Sequence, residues 1–114
     1  MIVIDTKVTS HEVRACEVRA RLSAGPELRT MWFMSLGVDP VASGTDAEWV
    51  GLGAGGALRG NRLEVRAVVM DVGAGVGELG CMLDVEGAER TLLELRSAAG
   101  SGDVAVYSLV VVFQ

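Results

Sequence analysis

The 114-residue sequence is poor in aromatic residues, histidine, cysteine and proline. These shortages restrict the kinds of core and of functional site that the chain can form. Two Trp, one Tyr and two Phe are its aromatic residues, so a core has to be built mainly from Val, Leu, Ala and Met. His11 is the single histidine, which excludes a pair of imidazoles for a zinc site. Two cysteines neither demand nor exclude a disulfide.

Basic residues are outnumbered by acidic ones, which argues against a polyanionic partner. Ten Lys and Arg against 15 Asp and Glu give a formal net charge of -5 and a pI near 4.8. Nucleic-acid binding draws most of its affinity from Lys and Arg that neutralise phosphates. We therefore expect no nucleic-acid partner.

The sequence also lacks an apolar run long enough to cross a bilayer as a helix. The longest apolar run covers residues 104–113, whereas a spanning helix needs about 20 residues. Residues 1–10 lack the basic region, apolar stretch and small-residue cleavage site of a secretory signal. The expectation is a protein without a membrane span and with a cytoplasmic location.

Residues that could carry chemistry form no recognisable constellation. Ser-His-Asp and Cys-His mechanisms would both have to use His11, and the residues around it match no catalytic motif. His11 lies near the end of a predicted strand, where a solvated polar side chain is the ordinary expectation. We predict no catalytic residues, no metal site and no cofactor, and hence a protein that is not an enzyme.

The alternation of apolar and polar side chains with a period of two residues is the strongest evidence for secondary structure in the sequence. Within residues 61–72, Leu63, Val65, Ala67 and Val69 share one parity, and charged residues begin the other. This alternation is typical of a strand with one buried face. The segment is the clearest strand of the sequence.

Further apolar segments, separated by turn residues, predict several more strands. β-branched residues dominate residues 2–9 and 104–113, and large apolar side chains fill residues 28–38. Fifteen glycines supply the turns between such segments, and residues 39–48 are predicted to form the longest loop. Seven or eight strands in a chain of this length predict an all-β fold, a mostly antiparallel β-sandwich, with residues 1–114 forming one domain.

Residues 11–23 are the most ambiguous segment. Apolar residues alternate with charged ones from Cys16 to Leu22, which favours a strand. Val13, Cys16 and Ala20 are also spaced three and four residues apart, as on one face of a helix. We predict a strand here and keep one short helix as the alternative.

The order Cys16, Trp32, Cys81 resembles that of immunoglobulin domains, in which a disulfide joins the two sheets and a Trp packs against it. Leu79 stands where that family has its corner tyrosine, so the resemblance is one of architecture. It implies an immunoglobulin-like sandwich, with C2-like and jelly-roll-like sandwiches as alternatives. Two buried free thiols are the expectation for the cysteines.

The apolar character of a small chain points to a function in interaction. A run as apolar as residues 104–113 is unsuited to a solvated sheet edge, so it must be central or pair with another chain. We predict a non-enzymatic protein–protein interaction or assembly module that presents strand edges or an apolar sheet face to a protein partner or to another copy of itself, and self-association is expected. The candidate interface residues are Trp32, Trp49, Tyr107, Val110 and Val112.

The alternative function is a ligand-binding β-sandwich that holds calcium or a carbohydrate. Its site would be built from the acidic and glycine-rich loops at residues 39–60 and 73–77, because carboxylate oxygens are the ligands that calcium prefers. The candidate ligand-binding residues are Asp39, Asp46, Asp71 and Asp103.

Overall fold

The computed structural model describes residues 1–72, 77–100 and 102–114. Within these ranges the chain forms nine strands and one short helix. In chain order they are β1 (Ile2–His11), β2 (Glu17–Ala24), β3 (Leu28–Leu36), β4 (Asp39–Gly44), β5 (Val50–Ala54), α1 (Gly55–Leu58), β6 (Arg62–Asp71), β7 (Glu78–Glu86), β8 (Arg90–Ala98) and β9 (Val104–Phe113).

Hydrogen bonds join the strands into two sheets. The larger sheet has five strands in the order β1-β9-β6-β3-β4, and the smaller sheet has four in the order β5-β2-β7-β8. Every pairing among the described strands is antiparallel except that of β1 with β9, which is parallel. The inner faces of both sheets contribute to one hydrophobic cluster. The predicted all-β, mostly antiparallel sandwich is confirmed.

Two short strands raise the number of strands above the seven or eight that were predicted. The prediction of a loop at residues 39–48 is wrong over Asp39–Gly44, because β4 pairs with β3 there. Pro40 is tolerated in β4 because an edge strand does not need every backbone N–H for pairing. The glycine-rich stretch after residue 49 contains β5, which pairs with β2 at the opposite sheet's edge.

Residues 11–23 contain a strand and no helix, so the strand prediction is correct. Val18, Ala20 and Leu22 point into the core and are at most 1% exposed, while the charged residues between them face outward. In a helix, residues with this alternation would point to all sides of the axis, so charged side chains would also face the core. The helix within the described chain is α1 at Gly55–Leu58, and no helix there is long and apolar enough to span a membrane.

Candidate interaction surface

The most apolar strand, β9, lies inside the larger sheet between β1 and β6. Its alternate residues from Ala105 to Phe113 point toward the smaller sheet and are buried. The other parity points to the outside of the larger sheet and is half-buried by neighbouring strands. Its members are Val104, Val106, Ser108, Val110 and Val112. A mostly apolar set of side chains therefore lies on the outer face of the sandwich.

Strand register aligns these valines with apolar residues of three other strands. Ile4 of β1 pairs with Val106, Val106 pairs with Val68 of β6, and Val68 pairs with Met31 of β3. Residues that pair across strands point to the same face of a sheet. A row of four apolar side chains therefore crosses the outer face of the larger sheet.

A second row lies beside the first and is apolar over three strands. Ile2 pairs with Val104, Val104 pairs with Met70, and the row ends at Arg29 of β3. We call the seven apolar residues of the two rows the apolar band: Ile2, Ile4, Met31, Val68, Met70, Val104 and Val106.

The apolar band is most open to solvent at its two ends, on β1 and β3. Ile2 is 68% exposed, Ile4 is 77% exposed and Met31 is 49% exposed. Single apolar residues on a surface are ordinary, whereas a contiguous group of them marks an interaction site. Val72, directly after β6, is also exposed and extends the apolar area beyond the sheet.

Polar residues flank the apolar band on the same face. Phe33 and Val8 are exposed among them. The polar members of the two following rows are Thr6, Ser108, Arg66, Ser43, Glu64 and Ser35. Arg66 and Glu64 lie two residues apart on β6, so this flank offers both signs of charge. An apolar centre with a polar rim is the usual composition of a protein interface.

The outer face is large enough for a protein partner. The three longest strands have ten residues and, at a rise of about 3.3 Å per residue, extend roughly 33 Å, and five strands spaced about 4.8 Å apart extend roughly 24 Å. Because β3 and β4 are shorter, the face covers somewhat less than about 800 Å², which is close to what each partner contributes to an interface of standard size.

Two depressions open on this face and make it suitable for protruding side chains. One, with a volume of about 590 Å³, is lined by Met31, Val68 and Met70 among others. The second, of about 730 Å³, is lined by Phe33 and Arg66 among others. Apolar side chains from a partner could fill both depressions and exclude water from them.

The five candidate interface residues lie in three parts of the structure: the core, the outer face of the larger sheet and the smaller sheet. Trp32 and Tyr107 are 1% and 0% exposed and lie in the core, so their assignment to an interface is corrected. Their polar atoms are satisfied there, because the Trp32 Nε1 donates to the Asp46 carbonyl at 3.0 Å and the Tyr107 hydroxyl bonds with Leu79 and Ser97. Val110 and Val112 lie on the outer face of the larger sheet, but the row that contains Ser108 separates them from the apolar band.

Trp49 lies on the other sheet. It directly precedes β5, is half-buried, and its ring contacts the guanidinium groups of Arg19 and Arg21. The candidate residues therefore do not form one site. Sequence reasoning also named none of the seven residues of the apolar band as interface candidates, since only strand order and register place Ile2, Ile4 and Met31 on one face.

The four candidate ligand-binding acids are not gathered into a metal site. Asp71 and Asp103 are neighbours, because the Asp71 amide donates to the Asp103 carbonyl at 3.4 Å, whereas Asp39 begins β4 and Asp46 follows it. Among the described residues, no group of three His, Cys, Asp or Glu side chains could hold a metal ion. Of the predicted loop at residues 73–77, residues 73–76 lie outside the described residues.

The Asp103 carboxylate accepts hydrogen bonds from two backbone groups of the protein. Its Oδ1 accepts from the N-terminal amino group at 2.8 Å, and its Oδ2 accepts from the Gly100 amide at 2.7 Å. Both hydrogen bonds lower the pKa of Asp103, and the bond from the amino group makes the larger contribution. These contacts hold the start of the chain against the segment that precedes β9.

His11 is buried, contrary to the expectation of a solvated side chain. It is 1% exposed, its ring lies edge-on to Phe113, and its Nδ1 is 2.6 Å from the Thr91 hydroxyl oxygen. Burial lowers the pKa of His11, and the Glu89 carboxylate opposes this shift. A hydroxyl–imidazole pair can in principle generate a nucleophile, but a substrate cannot reach an imidazole that is closed off in the core.

Both cysteines are free, Cys81 in the core and Cys16 half-buried. The expectation of two buried free thiols is therefore correct for Cys81 and wrong for Cys16. Burial raises the pKa of the Cys81 thiol to about 12, with a smaller contribution from Glu94. Because the thiolate is the reactive form, Cys81 is an inert core residue.

Comparisons of the chain with protein-family models, curated proteins and solved structures find no match. The functional argument therefore rests on the surface itself.

Proposed function

We propose that this protein is a non-enzymatic interaction and assembly module that associates with a second copy of itself through the outer face of its larger sheet. The apolar band carries the proposal. It places seven apolar residues from four strands side by side on a solvent-facing surface. Removing such a surface from water is the dominant favourable contribution in most protein associations.

The face of the larger sheet suits this role better than its edges. The edge strand β4 is short and contains Pro40, and its pairing with β3 is interrupted after Met34. These features protect an edge against the addition of another strand. At the other edge, the Lys7 ammonium donates to the Glu94 carbonyl at 3.2 Å and links β1 to the smaller sheet.

A second copy is the partner that the composition of the face fits. A two-fold dimer requires one surface to be complementary to itself. The apolar band meets this condition, because one apolar sheet face can pack on another as two sheets pack in a sandwich. Arg66 and Glu64 provide opposite charges on the flank, so each can meet its counterpart from the other copy. Two such faces would bury on the order of 1,600 Å², the size of a standard interface.

Sedimentation velocity from low to high micromolar concentration tests the proposal. The unchanged protein should shift from monomer to dimer, and Met31→Lys should remain monomeric because it places an ammonium group within the apolar band, at its end on β3. Leu92→Lys is the matched control, since Leu92 is similarly exposed, at 52%, on β8 of the smaller sheet. A protein that stays monomeric at all concentrations, or a Leu92→Lys variant that dissociates as Met31→Lys does, would refute the proposal.

A further inference from the structure

Two methionine side chains lie next to each other on the outer face of the larger sheet. Met31 of β3 pairs with Val68 of β6, and Met70 follows Val68 two residues later on the same face. Diagonal neighbours of this kind are roughly 7–8 Å apart, which long side chains can bridge. Met31 and Met70 also line the same depression of about 590 Å³. The two thioethers therefore form a pair within the apolar band.

The chain has five methionines, and their environments differ. Met31 is 49% exposed and Met70 is 36% exposed, so small solutes reach both side chains. Met34 is 2% exposed and belongs to the core cluster. Met82 is half-buried on β7 of the smaller sheet, and Met1 is exposed at the start of the chain. A reagent in solution therefore reaches the methionines of the apolar band while the core methionine stays protected.

A thioether in this position is open to oxidation by a hydroperoxide. The sulfur attacks one oxygen of hydrogen peroxide, the O–O bond breaks, and a sulfur–oxygen bond forms. The sulfur loses two electrons, and the leaving hydroxide takes the proton of the transferred hydroxyl and departs as water. The product is methionine sulfoxide, a polar group that replaces a flexible apolar one.

The new oxygen has different consequences in the free protein and in a dimer. On the open face water solvates it, and no core contact is lost. In a dimer that buries the apolar band, it would lose that water, and a buried acceptor without a donor is costly. Met31 has the apolar Val68 beside it, whereas Met70 pairs with Arg29, whose guanidinium can donate to a sulfoxide. Oxidation of Met31 should therefore weaken association more.

We propose that Met31 and Met70 form an oxidation-sensitive switch, through which a hydroperoxide dissociates the dimer and leaves the fold intact. The inference rests on the proposed self-association through the apolar band. A methionine sulfoxide reductase reverses the step, because two thiols supply two electrons, become a disulfide and release the oxygen as water. Since a dimer would cover both thioethers, the oxidant reacts with the monomer.

Sedimentation velocity before and after treatment with hydrogen peroxide is the first test. All proteins carry Cys16→Ser, which removes the more accessible of the two free thiols. Peptide mass spectrometry identifies the methionines that have gained oxygen. Oxidation of Met31 and Met70 should raise the dissociation constant of the dimer at least tenfold, with an unchanged circular dichroism spectrum. A sulfoxide reductase with dithiothreitol should restore the original constant.

The double variant Met31→Leu/Met70→Leu separates this pair from the other methionines. Leucine has a similar volume and keeps the surface apolar, so the variant should associate as the unchanged protein does. Its dimer should persist after peroxide treatment, although Met1 and Met82 are oxidised. Met82→Leu is the matched control, and its dimer should dissociate on oxidation like that of the unchanged protein. Of the single variants, Met31→Leu should protect the dimer more than Met70→Leu.

The rate of oxidation gives a second readout. The rate constants for Met31 and Met70 should fall as the protein concentration rises from low to high micromolar, because dimerisation covers both side chains. The rate constant for Met82 should stay constant, since Met82 lies on the opposite sheet.

Three results obtained with a protein that does dimerise would each overturn the inference. They are a dissociation constant that is unchanged after Met31 and Met70 are oxidised, dissociation of the oxidised double variant, and oxidation of Met31 at a rate independent of protein concentration. A protein that is monomeric at all concentrations before oxidation would instead refute the self-association, and the switch with it.

Discussion

Ile4 on β1 and Val106 on β9 face each other across the single parallel strand pair of the described chain, and both point away from the core. This pairing places an apolar residue of the first strand beside the apolar residues of β9 on the outer face of the larger sheet. The parallel addition of β1 therefore widens the apolar band by one strand.

The first prediction tests whether the apolar band extends onto β1. Ile4→Glu should weaken self-association at least tenfold, because it places a carboxylate inside a surface that has to lose its water. Ile4 is 77% exposed, so the free energy of unfolding should change by less than about 0.5 kcal/mol. Sedimentation and urea unfolding measure the two quantities. Unaltered association would limit the interface to β9, β6 and β3.

The second prediction concerns the buried carboxylate of Asp84. Arg90→Leu removes both of its hydrogen bonds and leaves only Arg21 at 3.8 Å, so the Tm should fall. Asp84→Asn in the same background should restore part of the loss, since a buried amide costs less than a buried charge. Thermal unfolding followed by circular dichroism gives both values.

The control for this prediction is Arg96→Leu. Arg96 is 65% exposed and pairs with Glu78 at 3.6 Å on the surface of the same sheet. Surface ion pairs contribute little to stability, so its Tm should change less than that of Arg90→Leu. Equal losses in the two variants would mean that Asp84 does not depend on Arg90.

The third prediction is a dependence of stability on pH that originates in His11. Burial lowers the pKa of this imidazole in the folded state, with Glu89 acting in the opposite direction, so the unfolded chain binds the proton more tightly. The stabilisation is complete above about pH 6.5, the ordinary value, and is lost as the pH falls through the lower folded value. The single histidine gives an isolated NMR resonance whose titration reports the folded pKa.

Urea unfolding at pH 8 and pH 5 completes this test. His11→Asn removes the titrating group and should reduce the difference in stability between the two pH values. Carboxylates such as Asp103 titrate in both proteins, so their effect cancels in the comparison. A folded-state pKa at or above the ordinary value would show that burial does not control His11.

The sequence predicted the strands whose two faces differ in polarity. β6 is the clearest case, because Leu63, Val65, Ala67 and Val69 are all buried, as their shared parity indicated. β4 was missed because its Pro40 and Gly44 are turn-forming residues, and only pairing with β3 makes a strand of that segment. Local propensity is therefore informative where burial is one-sided and is overruled where a neighbour supplies the hydrogen bonds.

The candidate site was harder to predict than the fold because it depends on parity within an apolar run. Met31, Trp32, Phe33 and Met34 are all apolar, so the sequence does not show which two face the core. Register with β6 decides that Trp32 and Met34 are buried while Met31 and Phe33 are exposed. The bulky Trp32 was a reasonable interface candidate, yet its smaller neighbours form the surface.

The last prediction compares two adjacent glycines at the start of α1. A Cβ atom at Gly55 would overlap the backbone carbonyl oxygen of Arg14, whereas one at Gly56 would meet no atom within 4 Å. The Gly55 amide also donates to the Cys16 carbonyl at 2.8 Å, which holds the two segments together. Neither glycine has a positive φ, so only the space around the new methyl group differs.

Gly55→Ala should therefore destabilise the protein by at least about 1–3 kcal/mol, the usual cost of overpacking, because a backbone atom cannot move aside as a side chain can. Gly56→Ala should be neutral or stabilise by up to about 1 kcal/mol, since alanine lowers the entropy of the unfolded chain. Urea unfolding of the two variants measures the contrast. Equal stabilities would contradict the close packing of the segment at Arg14 against α1, and with it the position of β5 beside β2.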